Sequence, residues 1–202
     1  MAHDAIEVEP VTVERLSDLA DLFTTNGTTR GCWCMYHILS NRQFGDGYGP
    51  GNRAAFERLA TESELPMGVL AYHDGTPVGW CAVGPRARYQ RAVGPRARIL
   101  ADRDPAEDDD VWLVSCFFTR VGFRGRGLTH RLLDAAAALA RVYGARAVEG
   151  FPRAAGRSGS PDDYLGSEEL FAAHDFACVA RPSPQRVVVR KSLGARRPDV
   201  AK

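Results

Sequence analysis

Between residues 111 and 144 an unbroken apolar stretch, Val111–Thr119, runs into a glycine- and arginine-rich turn and then into an amphipathic segment, Leu128–Val142. The first stretch has the character of a central strand, apolar on both faces. In the second, Leu128, Leu132, Leu133 and Ala136 recur at helical spacing and mark a buried face, and Gly144 supplies a C-terminal stop. Strand, tight turn and helix in this order build an anion site. Gly125 and Gly127 permit a sharp bend and bring backbone N–H groups close to a ligand at the helix N-terminus. A pyrophosphate fits such a site. Two competing nucleotide folds are excluded by spacing: no Gly-x-x-x-x-Gly-Lys-Ser/Thr run occurs, and Gly125-Arg126-Gly127 is followed by His130 where a dinucleotide fold places its third glycine.

The rest of the chain has to complete a core around that unit. With 202 residues, 45% of them hydrophobic and 25% charged, one compact domain is expected over 1–193, with a disordered tail at 194–202. A net charge of +1 creates no global field for nucleic acid or an anionic membrane. No apolar run reaches the roughly 20 residues that span a bilayer, and the first residues lack the basic and apolar regions of a signal peptide. The five cysteines, an odd number, fit reduced thiols better than a disulfide framework, so a cytoplasmic protein is expected. Abundant Arg, Ala and Gly beside scarce Lys points to a GC-rich bacterial genome.

Along the chain, a short strand at 6–9 precedes a helix at 13–23, and a helix capped by Asn52 runs to about residue 63. Between these helices, residues 25–51 carry Gly, Asn and aromatic groups, including Cys32-Trp33-Cys34-Met35-Tyr36-His37, in no regular period. They read as an irregular, partly helical lid. Strands at 67–73 and 77–83 flank Asp74-Gly75-Thr76 as a hairpin. Residues 84–110 hold an acidic run and most of two copies of Val-Gly-Pro-Arg-Ala-Arg, at 83–88 and 93–98, which read as a local duplication in an exposed loop. After the central helix come a strand at 145–151, a mobile loop at 152–163, a short helix at 167–174, and strands at 176–180 and Arg186–Ser192.

The segment Arg124-Gly125-Arg126-Gly127-Leu128-Thr129 resembles the acyl-CoA-binding motif Gln/Arg-x-x-Gly-x-Gly/Ala of the GNAT superfamily of N-acetyltransferases, with Thr129 departing at the sixth position. The element order matches that family along almost the whole chain. Its Cys-Trp-Cys segment resembles a subgroup of actinobacterial type. The resemblance implies an α/β fold with a mixed, mostly antiparallel sheet splayed between its fourth and fifth strands and flanked by helices. It also implies acetyl-CoA as acetyl donor, with no metal. Phe117, Phe118 and Thr119 would hold the pantetheine arm, and Arg124, Gly125, Arg126, Gly127, Leu128 and Thr129 the pyrophosphate. The acceptor would be a primary amine, either a small molecule or a protein lysine, and the protein a monomer or homodimer with no nucleic-acid or membrane partner.

Acyl transfer also needs acid and base groups. Many members of the family carry a tyrosine in Tyr-x-x-x-Gly-Phe after the fifth strand, but Phe171 stands at that position here, and phenylalanine has no proton to donate. Tyr164 is the substitute acid, unless water protonates the thiolate directly. Glu149, a lone carboxylate in an apolar strand, leads as base, with Asp110 and His37 next. Trp33, Tyr36, Phe44, Tyr48 and Trp80 line the acceptor pocket or fill the core beneath a long loop. Their density favours the pocket, with Trp33 and Tyr36 as substrate-binding residues. Cys32, Cys34 and His37 lack the second ligand pair of a zinc site, and Cys116 reads as packing. A degenerate domain that binds acyl-CoA as a sensor without turnover is the alternative.

Overall fold

The computed structural model describes residues 6–156 and 163–194. The expected disordered tail falls, from residue 195 on, outside the described residues, as does part of the 152–163 loop. The elements follow the order β1 (Ile6–Pro10), α1 (Leu16–Thr24), α2 (Gly27–Cys32), α3 (Asn41–Asp46), α4 (Pro50–Glu62), β2 (Gly68–His73), β3 (Thr76–Pro85), α5 (Gln90–Val93), β4 (Val111–Thr119), α6 (Leu128–Val142), β5 (Ala147–Gly150), α7 (Glu168–Ala172), β6 (Ala177–Ser183) and β7 (Arg186–Ser192). One seven-stranded sheet runs β1-β2-β3-β4-β5-β7-β6. Every neighbouring pair is antiparallel except β4 and β5, which are parallel and joined through α6.

Two features of β4 shape the molecule. It pairs with β5 only from Val111 to Val114, so Cys116 to Thr119 continue with a partner on one side alone and the sheet opens there, as the resemblance implies. Its register to β3 also skips a residue: Ala82 opposes Cys116 while Val83 opposes Val114, which leaves Ser115 as the extra residue of a bulge. The bulge resets the alternation of faces. Val114 and Phe117 both belong to the core shared with α6, whereas Cys116 and Phe118 pack on the opposite side.

The amphipathic pattern of α6 buries Leu128, Leu132, Leu133 and Ala136 against one face of the sheet. Leu19, Leu22 and Phe23 of α1 and Phe56 of α4 cover the other, around Trp80 and Phe118. In the β2–β3 hairpin Asp74 (φ 48°) and Gly75 (φ 73°) form the two-residue, left-handed turn that the Asp-Gly pair favours.

Two expectations fail. Asn52 does not cap α4: Gly49 holds the cap position with Pro50 behind it, and the fully buried Asn52 amide donates to Gly31 O at 3.1 Å, tying α2 to α4. Nor is the repeated hexamer uniformly exposed. In the first copy Arg86 has no exposed surface and donates to Asp108 Oδ1 (2.9 Å), Glu149 Oε2 (2.9 Å) and Asp104 O (2.7 Å), whereas Arg96 and Arg98 of the second copy are exposed. Identical hexamers thus take different fates, because only the first lies beside a buried carboxylate.

Candidate active site

A cleft of about 790 Å³ lies where β4 leaves its partner. One wall is Phe117, Phe118 and Thr119 of β4; the far end is the loop from Phe123 and the first turn of α6; Tyr164, in a short 3-10 turn (Asp163–Leu165), and Asn26 and Thr28 at the start of α2 complete it. The loop explains what the cleft is suited to hold. Gly125 (φ 74°) and Gly127 (φ 71°) both adopt left-handed conformations, and among the described residues no atom beyond the adjoining residues lies within 4 Å of where a Cβ would stand on either. A ligand can therefore lie directly on the backbone. Phe123 N–H bonds to Arg120 O, and the N–H groups of His130 and Arg131 turn back to Gly127 O. Among the described residues, the amides of Arg124 to Thr129 make no such bond, and no side chain caps α6. Orphan donors at the positive end of a helix dipole are matched by an anion with several acceptor oxygens.

The expected cofactor-binding residues converge on this cleft. Phe117, Phe118, Thr119, Arg124, Gly125, Gly127, Leu128 and Thr129 all line it; Arg126 does not, its guanidinium sitting 5.2 Å from the Phe123 ring centre. Tyr164, the expected acid, lines the cleft too. Phe171 is fully buried, edge-on to Phe117, and fills the space above Gly150, where its ring comes within 2.6 Å of an ideal Cβ position.

Other candidates lie elsewhere. Glu149 is 4% exposed, but its carboxylate accepts from Arg86 Nη1 (2.9 Å) and Arg190 Nη1 (3.1 Å) and borders a separate cavity of about 420 Å³. The expected base thus stands outside the cleft lining: β5 carries Val148 toward α6 and Glu149 toward the 84–110 segment. Asp110 stands at the surface, 3.6 Å from Arg146. Trp33, expected at the acceptor pocket, packs in the core. It is 2% exposed, packs edge-on to Phe23 at 5.3 Å and against Phe56 at 6.0 Å, and is covered by Arg53. Tyr36 is 47% exposed but stacks under Arg91 and against Phe44 outside the cleft lining.

His37 sits edge-on to Phe151 at 5.0 Å, and burial, then the charges of Arg91 and Arg186, lower its pKa to about 4, so the ring is neutral at physiological pH. Beside the bulge, Cys116 and Cys34 place their sulfurs 3.3 Å apart. Trp80 Nε1 donates to Cys34 Sγ, and the hydrogen bond to Cys116 together with burial raises the Cys34 thiol well above its usual range. Among the described residues no group of three or more His, Cys, Asp or Glu side chains is placed to hold a metal. His130, Asn26 and Thr28 line the cleft without having been anticipated. His130 was findable, since it directly follows the glycine motif on the same helix. Asn26 and Thr28 belong to a segment with no periodicity, and nothing local marks them.

The sequence profile described as the Acetyltransferase (GNAT) family matches residues 33–154, from the lid through β4, the glycine loop, α6 and β5. No curated protein matches the chain by sequence. Many solved structures share its fold. YncA of Salmonella typhimurium, solved with acetyl-CoA, superimposes with a TM-score of 0.56 at 13% identity, over 98% of this chain and 99% of that one. The PaiA N-acetyltransferase of Thermoplasma acidophilum in complex with coenzyme A gives 0.53 at 11% identity, over 93% and 99%. An N-acetyltransferase of Staphylococcus aureus gives 0.54 at 12% identity, over 94% and 99%.

Proposed function

The chain belongs to the GNAT acetyltransferase family, and from that premise we propose that it transfers an acetyl group from acetyl-CoA directly to a primary amine. The observation that carries the reading is the row of unpartnered amides from Arg124 to Thr129 beneath open space at Gly125 and Gly127. In this reading the pyrophosphate lies on that row, and the pantetheine arm runs along Phe117 to Thr119, whose outer edge has no strand partner beyond Val114 among the described residues. The thioester then lies toward the Ser115 bulge. The amine nitrogen attacks the carbonyl carbon and releases a proton to solvent, the C–S bond breaks, and Tyr164 or water gives a proton to the departing thiolate. We assign Glu149 a structural role, because two arginines already occupy its oxygens.

The test is thiol release from acetyl-CoA across a panel of small amines and lysine peptides. Tyr164→Phe is expected to lower kcat by about 100-fold with CoA affinity nearly unchanged. The buried Phe171 supports a second reading, a domain that binds acyl-CoA without turnover. Tight CoA binding with no thiol release against any acceptor would establish that reading instead.

A further inference from the structure

His130 lines the cleft and also the smaller cavity that adjoins it, which Arg153, Ser167 and Glu169 border. It does not act alone. Its Nδ1 lies 2.8 Å from Nε2 of His174, and His174 Nδ1 lies 2.5 Å from Oδ1 of Asp134, one turn along α6 from His130. The Asp134 carboxylate can only accept, so His174 carries a proton on Nδ1. Two protonation levels then matter for the pair. With His174 neutral, its Nε2 accepts from His130 Nδ1–H, and His130 Nε2 presents a lone pair to the cleft. With one more proton, the bridging hydrogen lies between His130 Nδ1 and His174 Nε2, the charge drawn toward His174 by the Asp134 carboxylate, and His130 Nε2 becomes a donor. The first arrangement repels an anion and the second binds one.

Resting on the reading of the cleft as an acyl-CoA site, we infer that His130 is a phosphate-binding residue whose donor state is set by His174 and Asp134, so that acyl-CoA binding takes up a proton. The bookkeeping is two ring protons on the pair before binding and three after, the third drawn from solvent. Nδ1 of His130 is engaged by His174, which leaves Nε2 for the ligand. Other charged groups around the pair are Arg124 of the loop, Arg153 and Glu169 in the adjoining cavity, and Lys191 of β7. Lys191 donates to His174 O at 2.8 Å and lies 3.6 Å from Asp175. Among the described residues the carboxylates of Glu169 and Asp175 make no hydrogen bond to His130 or His174, and Asp134 is the carboxylate that touches the pair. Because binding takes up a proton, acyl-CoA affinity should fall as the proton concentration falls.

The test is isothermal titration of CoA into the full chain near neutral pH, in two phosphate-free buffers of different ionisation enthalpy at one ionic strength. The wild type is expected to take up a large fraction of one proton. His174→Gln should abolish that uptake and weaken CoA about tenfold, the scale of a charge-assisted hydrogen bond. Asp134→Asn, at a side chain 63% exposed and so tolerant of change, should reduce uptake while the protein stays folded. Titration of the ligand's own phosphate is common to all variants and cancels in the differences. Uptake that persists with 3′-dephospho-CoA identifies the pyrophosphate as the partner, and uptake that vanishes identifies the 3′-phosphate. Equal uptake in wild type and folded His174→Gln, or unchanged affinity in His130→Ala, would overturn the inference and leave the cleft's reading intact. A wild type that does not bind CoA at all would overturn the reading of the cleft itself.

Discussion

Gly127 is demanded by conformation before it is demanded by chemistry. At φ 71° any side chain is strained by about 1 kcal/mol, yet the space around its missing Cβ is open. Gly127→Ala and Gly127→Asp should therefore lose similar stability and differ in binding. The alanine variant should keep most CoA affinity, and the aspartate should lose tenfold or more, because its charge meets the phosphates. Titration calorimetry beside a denaturant melt separates the two effects, and equal CoA affinity in both would remove phosphate from this loop. Trp33 makes the opposite case. It too has a positive φ, 51°, but it is buried between Phe23 and Phe56. Trp33→Ala should cost about 3–5 kcal/mol of stability, read by denaturant melts, and should not raise the KM of the acceptor selectively. Aromatic density in an aperiodic segment was compatible with both pocket and core, and only the packing partners separate them.

At the scale of elements, the lid and the 84–110 segment are clamped to each other. Arg91 N–H bonds to His37 O at 3.1 Å, Arg91 Nε to Leu39 O at 2.7 Å and Nη2 to Ser40 O at 3.2 Å, while the guanidinium stacks 4.1 Å from the Tyr36 ring centre. His37 is held in that clamp in its neutral form. The unfolded chain gains a proton on this histidine as pH falls through 6.5, but the folded chain does so only near 4, so stability is expected to decline across that window and level off below it. The loss should be on the order of 2 kcal/mol, less than the full shift implies because the ring is partly exposed. His37→Gln should flatten this part of the stability profile in urea melts taken from pH 7 to pH 4. A slope that persists in the variant would place the linkage elsewhere. Arg86 extends the clamp to β5 and β7 through Glu149 and Arg190, an arrangement invisible in a hexamer that occurs twice.

For the whole molecule, a ligand that binds only the folded chain adds stability by mass action. CoA at about 100 times its Kd should add about 2.7 kcal/mol, which for a domain of this size raises Tm by roughly 5–10 °C. A thermal melt that does not move with CoA would count against the cleft as an acyl-CoA site. The glycine loop, the boundaries of α6 and the β2–β3 hairpin were legible in the sequence because each rests on neighbours within a few residues: a period of 3.6, an Asp-Gly turn, a glycine free to take positive φ. The row of open amides proposed to hold pyrophosphate was legible for the same reason, since backbone amides at a helix N-terminus need only the local bend. Tertiary structure alone decided the fates of Glu149, Trp33 and Arg86 and the meeting of His130 with His174. Each depends on what a distant segment brings to within about 3–6 Å, and a lone carboxylate in an apolar strand looks the same whether an amine or two arginines await it.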